Sequence, residues 1–289
     1  MNHKLLLCTD LDRTLLPNGP QPESPEARSY FSRLVSQPGV TLAYVTGRHR
    51  ELVEKAIQFY QLPRPDFVIG DVGSSIYELK RDSWCFWERW EAEISSDWAG
   101  KSHAELRALF KGLPGLRLQE TKKQGKHKLS YYVPIDMNHG ALIASMHERL
   151  ECAGIKAALI SSIDEPSGVG LLDVLPACAT KRHAIEFLMM ELGFDLKHTV
   201  FAGDSGNDLA VLSSPVQAVL VSNAGEEVRC LARQQADNTG YSDALYLARG
   251  GFLGMNGNYS AGILEGVAHY IPRIESAIID GICATSIPG

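Results

Sequence analysis

The chain has 289 residues, of which 45% are hydrophobic and 21% are charged, and its formal net charge at pH 7 is −6. This composition is typical of a soluble globular protein and excludes a fibrous or disordered chain. The negative charge argues against a nucleic-acid-binding protein, because such proteins normally present a basic surface. At roughly 100–200 residues per domain, the length indicates two domains or one domain with a large insertion.

The cysteines and the apolar segments bear on where the protein works. Its six cysteines are scattered without a C-x-x-C pair, which predicts a reducing compartment and argues against a zinc or redox site of that type. The apolar run at 5–8 is too short for the roughly 7–15-residue core of a signal peptide. No segment has the composition of a membrane-spanning helix. We therefore predict a cytoplasmic protein without a membrane partner.

Short apolar runs alternate with segments of helical period in the first and last parts of the chain. The early elements are a strand at 5–8, a helix capped by Ser24-Pro25, a strand at 40–45, a helix at 48–60 and a strand at 67–69. The late elements are a helix at 180–192, a strand at 198–202, a helix at 208–212, a strand at 218–221 and a helix at 226–233. This alternation predicts an α/β fold with a doubly wound parallel sheet.

The middle of the chain interrupts the alternation. All four tryptophans lie within residues 84–98, and two strand-like runs at 116–120 and 128–133 predict a hairpin. A helix at 138–152 and strands at 155–163 and 169–175 follow. We predict a small inserted α+β domain at 82–166, which leaves 1–81 and 167–289 as a discontinuous core domain.

Two carboxylates follow the first predicted strand, in Asp10-Leu11-Asp12-Arg13-Thr14. Ligands of doubly wound sheets bind at the carboxyl ends of the strands. Such a pair can divide the work of phosphoryl transfer, with one carboxylate attacking phosphorus and the other giving a proton to the leaving oxygen. A solvated acidic turn is the alternative explanation of this pair taken alone.

Three further polar segments lie where a predicted strand gives way to a helix or where a helix begins. Thr46-Gly47-Arg48 follows the second strand, where a hydroxyl and helix N-terminal amides can stabilise an anion. Lys181 begins a helix and can neutralise a phosphate as a point charge. The run from Gly203 to Asp208 places two carboxylates and an amide in six residues. Asp204 with Asp10 would form the hard oxygen ligand set that suits Mg²⁺.

In this order, the four segments resemble the four motifs of the haloacid dehalogenase (HAD) superfamily of phosphatases. The insert resembles that superfamily's type-two cap, so the resemblance spans nearly the whole chain. Three segments are similar to the Cof-like group, namely Val72-Gly73-Ser74-Ser75, Asp173-Val174-Leu175-Pro176 and Val221-Ser222-Asn223-Ala224. The cap segment Lys128-Leu129-Ser130-Tyr131-Tyr132 is similar to sucrose-phosphate phosphatases.

The resemblance implies a role for each matching residue. Asp10 would be the nucleophile that forms an aspartyl-phosphate, and Asp12 would be the general acid/base. Thr46 and Lys181 would hold the phosphoryl oxygens. Mg²⁺ would be bound by Asp10, Asp204 and the carbonyl of Asp12. The remaining residues expected to contact the phosphate or order the site are Gly47, Arg48, Ser205, Asn207 and Asp208.

The substrate is less constrained by these motifs than the reaction is. In the cap, Lys128, Ser130 and Tyr131 would offer hydrogen bonds and an aromatic face to sugar hydroxyls, and a strand with one solvated face is the alternative. Arg13 and Arg182 stand where glycine is common in the superfamily, which indicates that the loops facing the substrate differ.

We therefore predict a Mg²⁺-dependent phosphomonoesterase that acts on a phosphorylated sugar, with sucrose 6-phosphate or a related disaccharide phosphate as the first expectation. Phosphatases for a hexose phosphate or a glycosyl-glycerate phosphate, and phosphosugar mutases, are the enzymatic alternatives. A phospho-acceptor signalling module of the response-regulator type is the alternative from another class, although such modules lack the cap. An inactive sugar-binding relative would have little reason to retain both Asp10 and Asp12. No nucleic-acid partner is expected, and the oligomeric state stays open.

Overall fold

The computed structural model describes residues 4–81, 83–164 and 168–273. Within them, the strands are β1 (Leu5–Thr9), β2 (Val40–Val45), β3 (Phe67–Gly70), β4 (Ser75–Lys80), β5 (Ser83–Phe86), β6 (Arg117–Leu118), β7 (Leu129–Val133), β8 (Ala157–Asp164), β9 (Val169–Pro176), β10 (Thr199–Gly203), β11 (Gln217–Leu220) and β12 (Leu245–Leu247). The α-helices are α1 (Ala27–Val35), α2 (Arg50–Tyr60), α3 (Glu88–Ser95), α4 (His103–Leu109), α5 (His139–Cys152), α6 (Lys181–Glu191), α7 (Leu209–Leu212), α8 (Glu226–Thr239) and α9 (Ser260–Tyr270).

The main sheet has eight strands in the order β12-β11-β10-β1-β2-β3-β4-β5. Its first six strands pair in parallel, and β4 and β5 extend it as antiparallel strands. Every residue of β1 is buried, with Leu5 and Leu7 in one apolar cluster and Leu6 and Cys8 in another. Successive side chains of a strand point to opposite faces, so a continuous apolar run needs cover on both. The doubly wound α/β fold is confirmed, and helices cover both faces of β1.

The smaller sheet is antiparallel, with strands in the order β6-β7-β9-β8. Leu129, Tyr131 and Val133 of β7 share a buried cluster with Phe110 and with Met146 of α5. The hairpin predicted from sequence is confirmed, because β6 pairs with β7 in antiparallel register. This separate sheet with its own apolar core is the cap, as the resemblance implied.

Two strands, β5 and β9, pair in a different sheet from the one that the predicted domain boundaries imply. β5 pairs with β4 in the main sheet, although the insert was predicted to begin at 82. β9 pairs with β7 and β8 in the small sheet, although the insert was predicted to end at 166. The predicted boundaries therefore differ from the strand pairing by one strand at each end, because an isolated apolar run does not indicate which sheet it will join.

The chain crosses between the two sheets at two adjacent segments. Trp90 is buried in a cluster of the main sheet, whereas Trp98 is buried in the cluster of the small one, so the first crossing lies between them. The backbone N–H of Cys178, which follows β9, donates to a carboxylate oxygen of Asp97 at 2.7 Å. This bond ties the outgoing segment to the returning one.

Helix caps agree with the sequence at one helix and differ at another. Thr180 caps α6, because its hydroxyl accepts a hydrogen bond from the backbone N–H of His183 at 3.1 Å. Ser24 does not cap α1, whose N-cap residue is Glu26 without a side-chain bond. The Ser24 hydroxyl instead accepts from the backbone N–H of Asn256. Among the described residues, no helix combines the length and apolar character needed to cross a membrane.

Candidate active site

The carboxyl ends of β1, β2 and β10 meet at one edge of the main sheet. Thr9 at the end of β1 pairs with Ala202 of β10 on one side and with Tyr44 of β2 on the other. The backbone N–H of Asp10 donates to the carbonyl of Ala202 at 2.9 Å, so the first residue after β1 is still held by the sheet. The parallel register therefore brings the segments that begin at Asp10, Thr46 and Asp204 to the same edge.

Lys181 lies at the centre of a buried polar network, and its side chain is 2% exposed. Its ammonium group donates to Oδ2 of Asp10 at 2.9 Å, to Oδ1 of Asn207 at 2.9 Å and to Oδ1 of Asp208 at 2.8 Å. These partners come from three positions of the chain and fill the three donor sites of an ammonium. The structure thus brings together the predicted nucleophile, the predicted phosphate-binding lysine and the predicted site-ordering residues.

The electrostatics of this network follow from burial. Burial raises the pKa of Asp10 to about 7, with the Asp208 charge adding to the rise and Lys181 opposing it. Burial likewise raises the pKa of Asp204 to about 6, and the Asp208 charge contributes again. Burial alone would lower the pKa of Lys181, but Asp10 and Asp208 outweigh it and raise the pKa. The lysine is therefore charged, and the site holds an excess of carboxylates.

Asp208 orders the loop that follows β10. Its Oδ2 accepts the backbone N–H groups of Asp204 and Ser205, each at 3.1 Å, while Oδ1 faces Lys181. The Ser205 hydroxyl donates to Oδ1 of Asn207 at 3.1 Å. A side chain at Gly203 would place its Cβ 2.5 Å from Oδ2 of Asp208, so only glycine leaves room for this carboxylate.

Asp12 occupies a more open position than Asp10, and its side chain is 43% exposed. Arg48 binds it with two parallel bonds, Nε to Oδ2 at 2.7 Å and Nη2 to Oδ1 at 2.6 Å, and Asn18 donates to Oδ1 at 2.7 Å. Burial alone would raise the pKa of Asp12, but the hydrogen bonds and charge of Arg48 lower it overall. Arg48 is therefore a direct partner of the predicted general acid/base.

Thr46 and the turn at 71–73 form the wall beside Asp12. The Thr46 hydroxyl, which is buried, accepts the backbone N–H of Arg48 at 3.2 Å. Its carbonyl accepts the N–H of Val72 at 3.2 Å, and the carbonyl of Arg48 accepts the N–H of Asp71 at 3.1 Å. An added Cβ at Gly47 would be 3.8 Å from Val72, an ordinary contact, so sterics do not demand glycine there.

Arg13, which stands where glycine is common in the superfamily, has a φ of 57°. The left-handed region favours glycine, which explains that preference in physical terms. The arginine is held by Asn223, whose side-chain amide donates to the Arg13 carbonyl at 2.6 Å. Its Nε lies 3.6 Å from Oδ2 of Asp204. The departure from the family pattern thus adds a positive charge beside the predicted metal ligand.

The acidic groups of this edge fit a divalent cation. One oxygen each from Asp10, Asp204 and Asp208 lies within 4.8 Å of the others, and all three residues are buried. Carboxylate oxygens are the ligands of a hard cation. Burial, with the Asp208 charge adding to it, raises the pKa values of Asp10 and Asp204, and a bound cation would stabilise their charged forms. Oδ2 of Asp208 accepts two backbone N–H groups and its Oδ1 accepts Lys181. Among the described residues, Oδ1 of Asp204 accepts the Thr14 hydroxyl alone, so Asp204 is the better donor of these two.

The predicted cap residues occupy three different environments. Lys128 is mostly buried, and its ammonium group lies 3.0 Å from Oδ1 of Asp71 in the core. The Ser130 hydroxyl is fully buried and donates to the carbonyl of Lys123. Tyr131 packs edge-on against Phe110 in the apolar cluster of the cap. Of the three, Lys128 faces the core, so the substrate roles of Ser130 and Tyr131 stay predictions without a contact that supports them.

A cavity of about 310 Å³ lies between the cap and the core, next to this edge of the sheet. The core contributes Asp71, Ser75 and Tyr77 to its wall, and the cap contributes His127 and Lys128. Its volume is at the lower end of the range of small-molecule sites. Sequence reasoning missed Asp71 and His127, although the adjacency of His127 to Lys128 was an available signal.

Comparison with known proteins agrees with the fold and with the family resemblance. The family profile described as sucrose-6F-phosphate phosphohydrolase matches residues 3–271. A Nitrosococcus oceani protein described only as HAD-like hydrolase is 55% identical over 276 residues, which make up 96% of this chain and 74% of that one. The mannosylfructose-phosphate phosphatase of Agrobacterium fabrum is 28% identical over 269 residues, which make up 92% of this chain and 96% of that one.

Solved structures point the same way. The sucrose-phosphatase of Synechocystis, determined in complex with sucrose and phosphate, superposes with a TM-score of 0.68 at 26% identity. The superposition covers 93% of this chain and 98% of that one. The resemblance found in the four motifs is therefore confirmed along nearly the whole chain. The chain belongs to the sucrose-6F-phosphate phosphohydrolase family of HAD-like hydrolases.

Proposed function

We propose that this protein is a Mg²⁺-dependent phosphatase that hydrolyses the phosphate ester of a disaccharide. The observation that carries the proposal is the buried network in which Lys181 contacts Asp10, Asn207 and Asp208. In this network the Asp10 carboxylate, the proposed nucleophile, lies beside the positively charged Lys181 at the carboxyl edge of a parallel sheet. A nucleophile and a positive charge that stabilises the phosphoryl oxygens are what phosphoryl transfer requires.

Each residue has a stated task in the proposed reaction. A carboxylate oxygen of Asp10 attacks phosphorus, the bond from phosphorus to the sugar oxygen breaks, and Asp12 gives that oxygen a proton. Water then attacks the aspartyl-phosphate while Asp12 takes its proton, which releases phosphate and restores Asp10. Lys181 and Thr46 stabilise the phosphoryl oxygens in both steps.

Asp10 and Asp204, with the carbonyl of Asp12, are the proposed ligands of Mg²⁺. When bound there, the cation would balance the negative charge of the transferred phosphoryl group. The excess of buried carboxylates supports this assignment, since it is the charge pattern that a divalent cation offsets.

A disaccharide is supported by the cleft and by the relatives. The cavity of about 310 Å³ has walls from both the core and the cap, and polar and charged side chains among them could bind sugar hydroxyls. The Synechocystis structure contains sucrose and phosphate. The Agrobacterium relative is named for mannosylfructose phosphate and matches along nearly its whole length, which makes that ester the second candidate.

The test is phosphate release from a panel of esters, measured with Mg²⁺ and with excess chelator. The panel contains sucrose 6-phosphate, mannosylfructose phosphate, hexose 6-phosphates, a glycosyl-glycerate phosphate and p-nitrophenyl phosphate. We expect Mg²⁺-dependent release with the highest kcat/KM on one of the two disaccharide phosphates. Preference for a hexose phosphate would overturn the disaccharide assignment. Undiminished release in chelator would overturn the metal, and stable labelling of Asp10 without release would indicate a phospho-acceptor instead.

A further inference from the structure

An ion pair joins the cap to the core at the mouth of the cleft. The ammonium group of Lys128 lies 3.0 Å from Oδ1 of Asp71 and 3.7 Å from Oδ2 of Asp173. Asp173 belongs to β9 of the cap sheet, whereas Asp71 follows β3 of the core. The contact with Asp71 therefore spans the two sheets, and the contact with Asp173 holds the lysine from its own side.

The pair is buried, which distinguishes it from the second ion pair across the cleft. The side chains of Lys128 and Asp71 are 11% and 17% exposed, whereas Lys126, which pairs with Glu91, is 71% exposed. Exposed ion pairs contribute little, because solvent screens them. Removing one partner of a buried pair is costly, because it leaves the other charge buried and uncompensated, so single substitutions here should have a measurable effect.

Asp71 lies in a turn that is hydrogen-bonded to the segment Thr46-Gly47-Arg48, which is proposed to contact the phosphate. Its backbone N–H donates to the carbonyl of Arg48, and the next N–H, of Val72, donates to the carbonyl of Thr46. The hydroxyl of Ser75 donates to Oδ2 of Asp71 at 3.2 Å, which fixes the carboxylate whose other oxygen binds Lys128. A displacement of Asp71 would therefore strain the backbone hydrogen bonds that connect this turn to Thr46 and Arg48.

The other end of the same turn touches the helix that carries Lys181. A Cβ added at Gly73 would lie 2.5 Å from the carbonyl carbon of Thr180 and 2.8 Å from the backbone nitrogen of Lys181. The indole N–H of Trp90 donates to the carbonyl of Gly73 at 3.0 Å. The turn at 71–73 is thus hydrogen-bonded to the Thr46–Arg48 segment at one end and closely packed on the start of α6 at the other.

We propose that Asp71 is a positioning residue: through its ion pair with Lys128 it couples the seating of the cap to the turn that supports Thr46 and Lys181. The effect on turnover rests on the proposed phosphatase function, whereas the coupling itself does not. When the pair separates, the cap loses its buried charged contact with the core and the turn loses a restraint on the side facing the cleft.

The experiment compares Asp71→Asn, Lys128→Met and the double variant with the unmodified protein by hydrogen–deuterium exchange. Asparagine is the suitable replacement because Asp71 has a φ of 51°, and asparagine tolerates the left-handed region. Lys101→Met is the control, because Lys101 pairs with Glu105 within the cap and makes no bridge to the core. Circular dichroism verifies that each variant is folded.

We expect each single variant to exchange about 5- to 30-fold faster in both segments, residues 71–75 of the core and residues 122–128 of the cap. The double variant should exchange no faster than the more affected single variant, because the two changes remove one contact. On the preferred sugar phosphate, KM should rise by more than kcat falls. The control should match the unmodified protein in both segments.

Unchanged exchange at 71–75 in Lys128→Met would overturn the proposal, because the cap would then not restrain the turn. Additive effects in the double variant would also overturn it. If no ester on the panel is hydrolysed, the proposed function fails, and the exchange result still decides the coupling by itself.

Discussion

In the phosphate site, the side chains of Asp10, Lys181 and Asp208 are each 6% exposed or less, and each charge has an opposite charge within 3 Å. In the cleft beside it, the side chains of Glu91 and Lys126 are 19% and 71% exposed. The first set is fixed by protein contacts alone. In the second set, Lys126 keeps most of its contact with solvent, so this lysine can exchange water for a ligand at lower cost.

This difference separates the reaction from the choice of substrate. In the proposed reaction, the buried set would act on the phosphoryl group, which every phosphate ester shares. The cleft would hold the leaving group, which differs from one ester to the next. Changes to the buried set should therefore lower kcat/KM by a similar factor on all substrates, and changes to the cleft should lower it by different factors.

The largest expected effect is that of Asp10→Asn. The amide cannot form the aspartyl-phosphate, so we expect kcat/KM to fall by about 10⁴-fold or more on both a disaccharide phosphate and p-nitrophenyl phosphate. The fold should persist, because Lys181 keeps Asn207 and Asp208 as partners. Phosphate release measures the first expectation and circular dichroism the second.

Asp195→Asn is the matched control for this variant, since Asp195 is a largely exposed carboxylate of the same core. It should retain the activity of the unmodified protein. Substantial turnover by Asp10→Asn on either ester would contradict the assigned nucleophile, and loss on one ester alone would contradict the separation of reaction from substrate.

A pair of glycines compares the rigidity of the two regions. Gly73 in the core turn has a φ of 105° and no room for a Cβ, whereas Gly154 in the cap has a φ of 69° and nothing within 4 Å of an added Cβ. Alanine at Gly154 should lower the free energy of unfolding by about 1–2 kcal/mol through backbone strain alone. Alanine at Gly73 should cost roughly 1–3 kcal/mol more, because it also overpacks the contact with Thr180.

Urea denaturation of both variants measures the difference. Gly73→Ala should also lower kcat on every ester, since the clash reaches the backbone of Lys181, while Gly154→Ala should leave kcat close to its original value. Equal losses of stability in the two variants would show that the turn at 71–73 yields more easily than its contacts imply.

Arg48→Lys should have an intermediate effect. Lysine keeps the charge but cannot make the two parallel bonds that hold the Asp12 carboxylate, so we expect kcat/KM to fall by about 10- to 100-fold. The factor should be larger for a sugar phosphate than for p-nitrophenyl phosphate, because a sugar alkoxide needs the proton that Asp12 would supply, whereas p-nitrophenolate leaves readily without it. Steady-state kinetics on the two esters decide this.

Asn18→Ala removes the remaining side-chain contact of Asp12 and serves as the comparison, with a smaller expected loss because one neutral bond is weaker than a charged pair. A greater loss on p-nitrophenyl phosphate than on the sugar phosphate would contradict the role of Asp12 as proton donor to the leaving oxygen.

The four motif segments were predictable because each lies where a parallel strand ends or a helix begins. Asp10 and Thr46 follow neighbouring strands, and parallel register brings them to one edge without further information. Tyr131 was assigned to the substrate, yet the alternation of the strand already places it on the same face as Leu129 and Val133, which are buried in the cap. The alternation of side chains along β7 was therefore the signal that distinguished its buried face from the other one.

The cap boundaries and the contacts across the cleft were not accessible in the same way. Nothing local in Val169–Pro176 indicates whether it pairs with the core or with β7. Asp71 and Lys128 are 57 residues apart and meet only because the cap folds back on the core. Such contacts depend on how two separately formed sheets dock, which residue type and spacing do not encode.

The smallest expected effect concerns His127, whose ring is 9% exposed, lies 5.3 Å from that of Trp98, and has no hydrogen-bond partner on either nitrogen among the described residues. Burial lowers its pKa below the usual 6.5, with Lys126 adding to the effect and Glu91 opposing it. The unfolded chain therefore binds this proton more readily, and the contribution of His127 to stability, complete above the unfolded-state pKa, is lost as pH falls through the folded-state value. His127→Gln removes that titration, so the free energy of unfolding should fall less steeply between about pH 8 and about pH 5 than in the unmodified protein. If the free energies of unfolding of the two proteins, measured by urea denaturation, changed in parallel with pH, the ring would be protonated as easily in the folded cap as in solvent. Water would then reach His127 more readily than the burial of its ring implies.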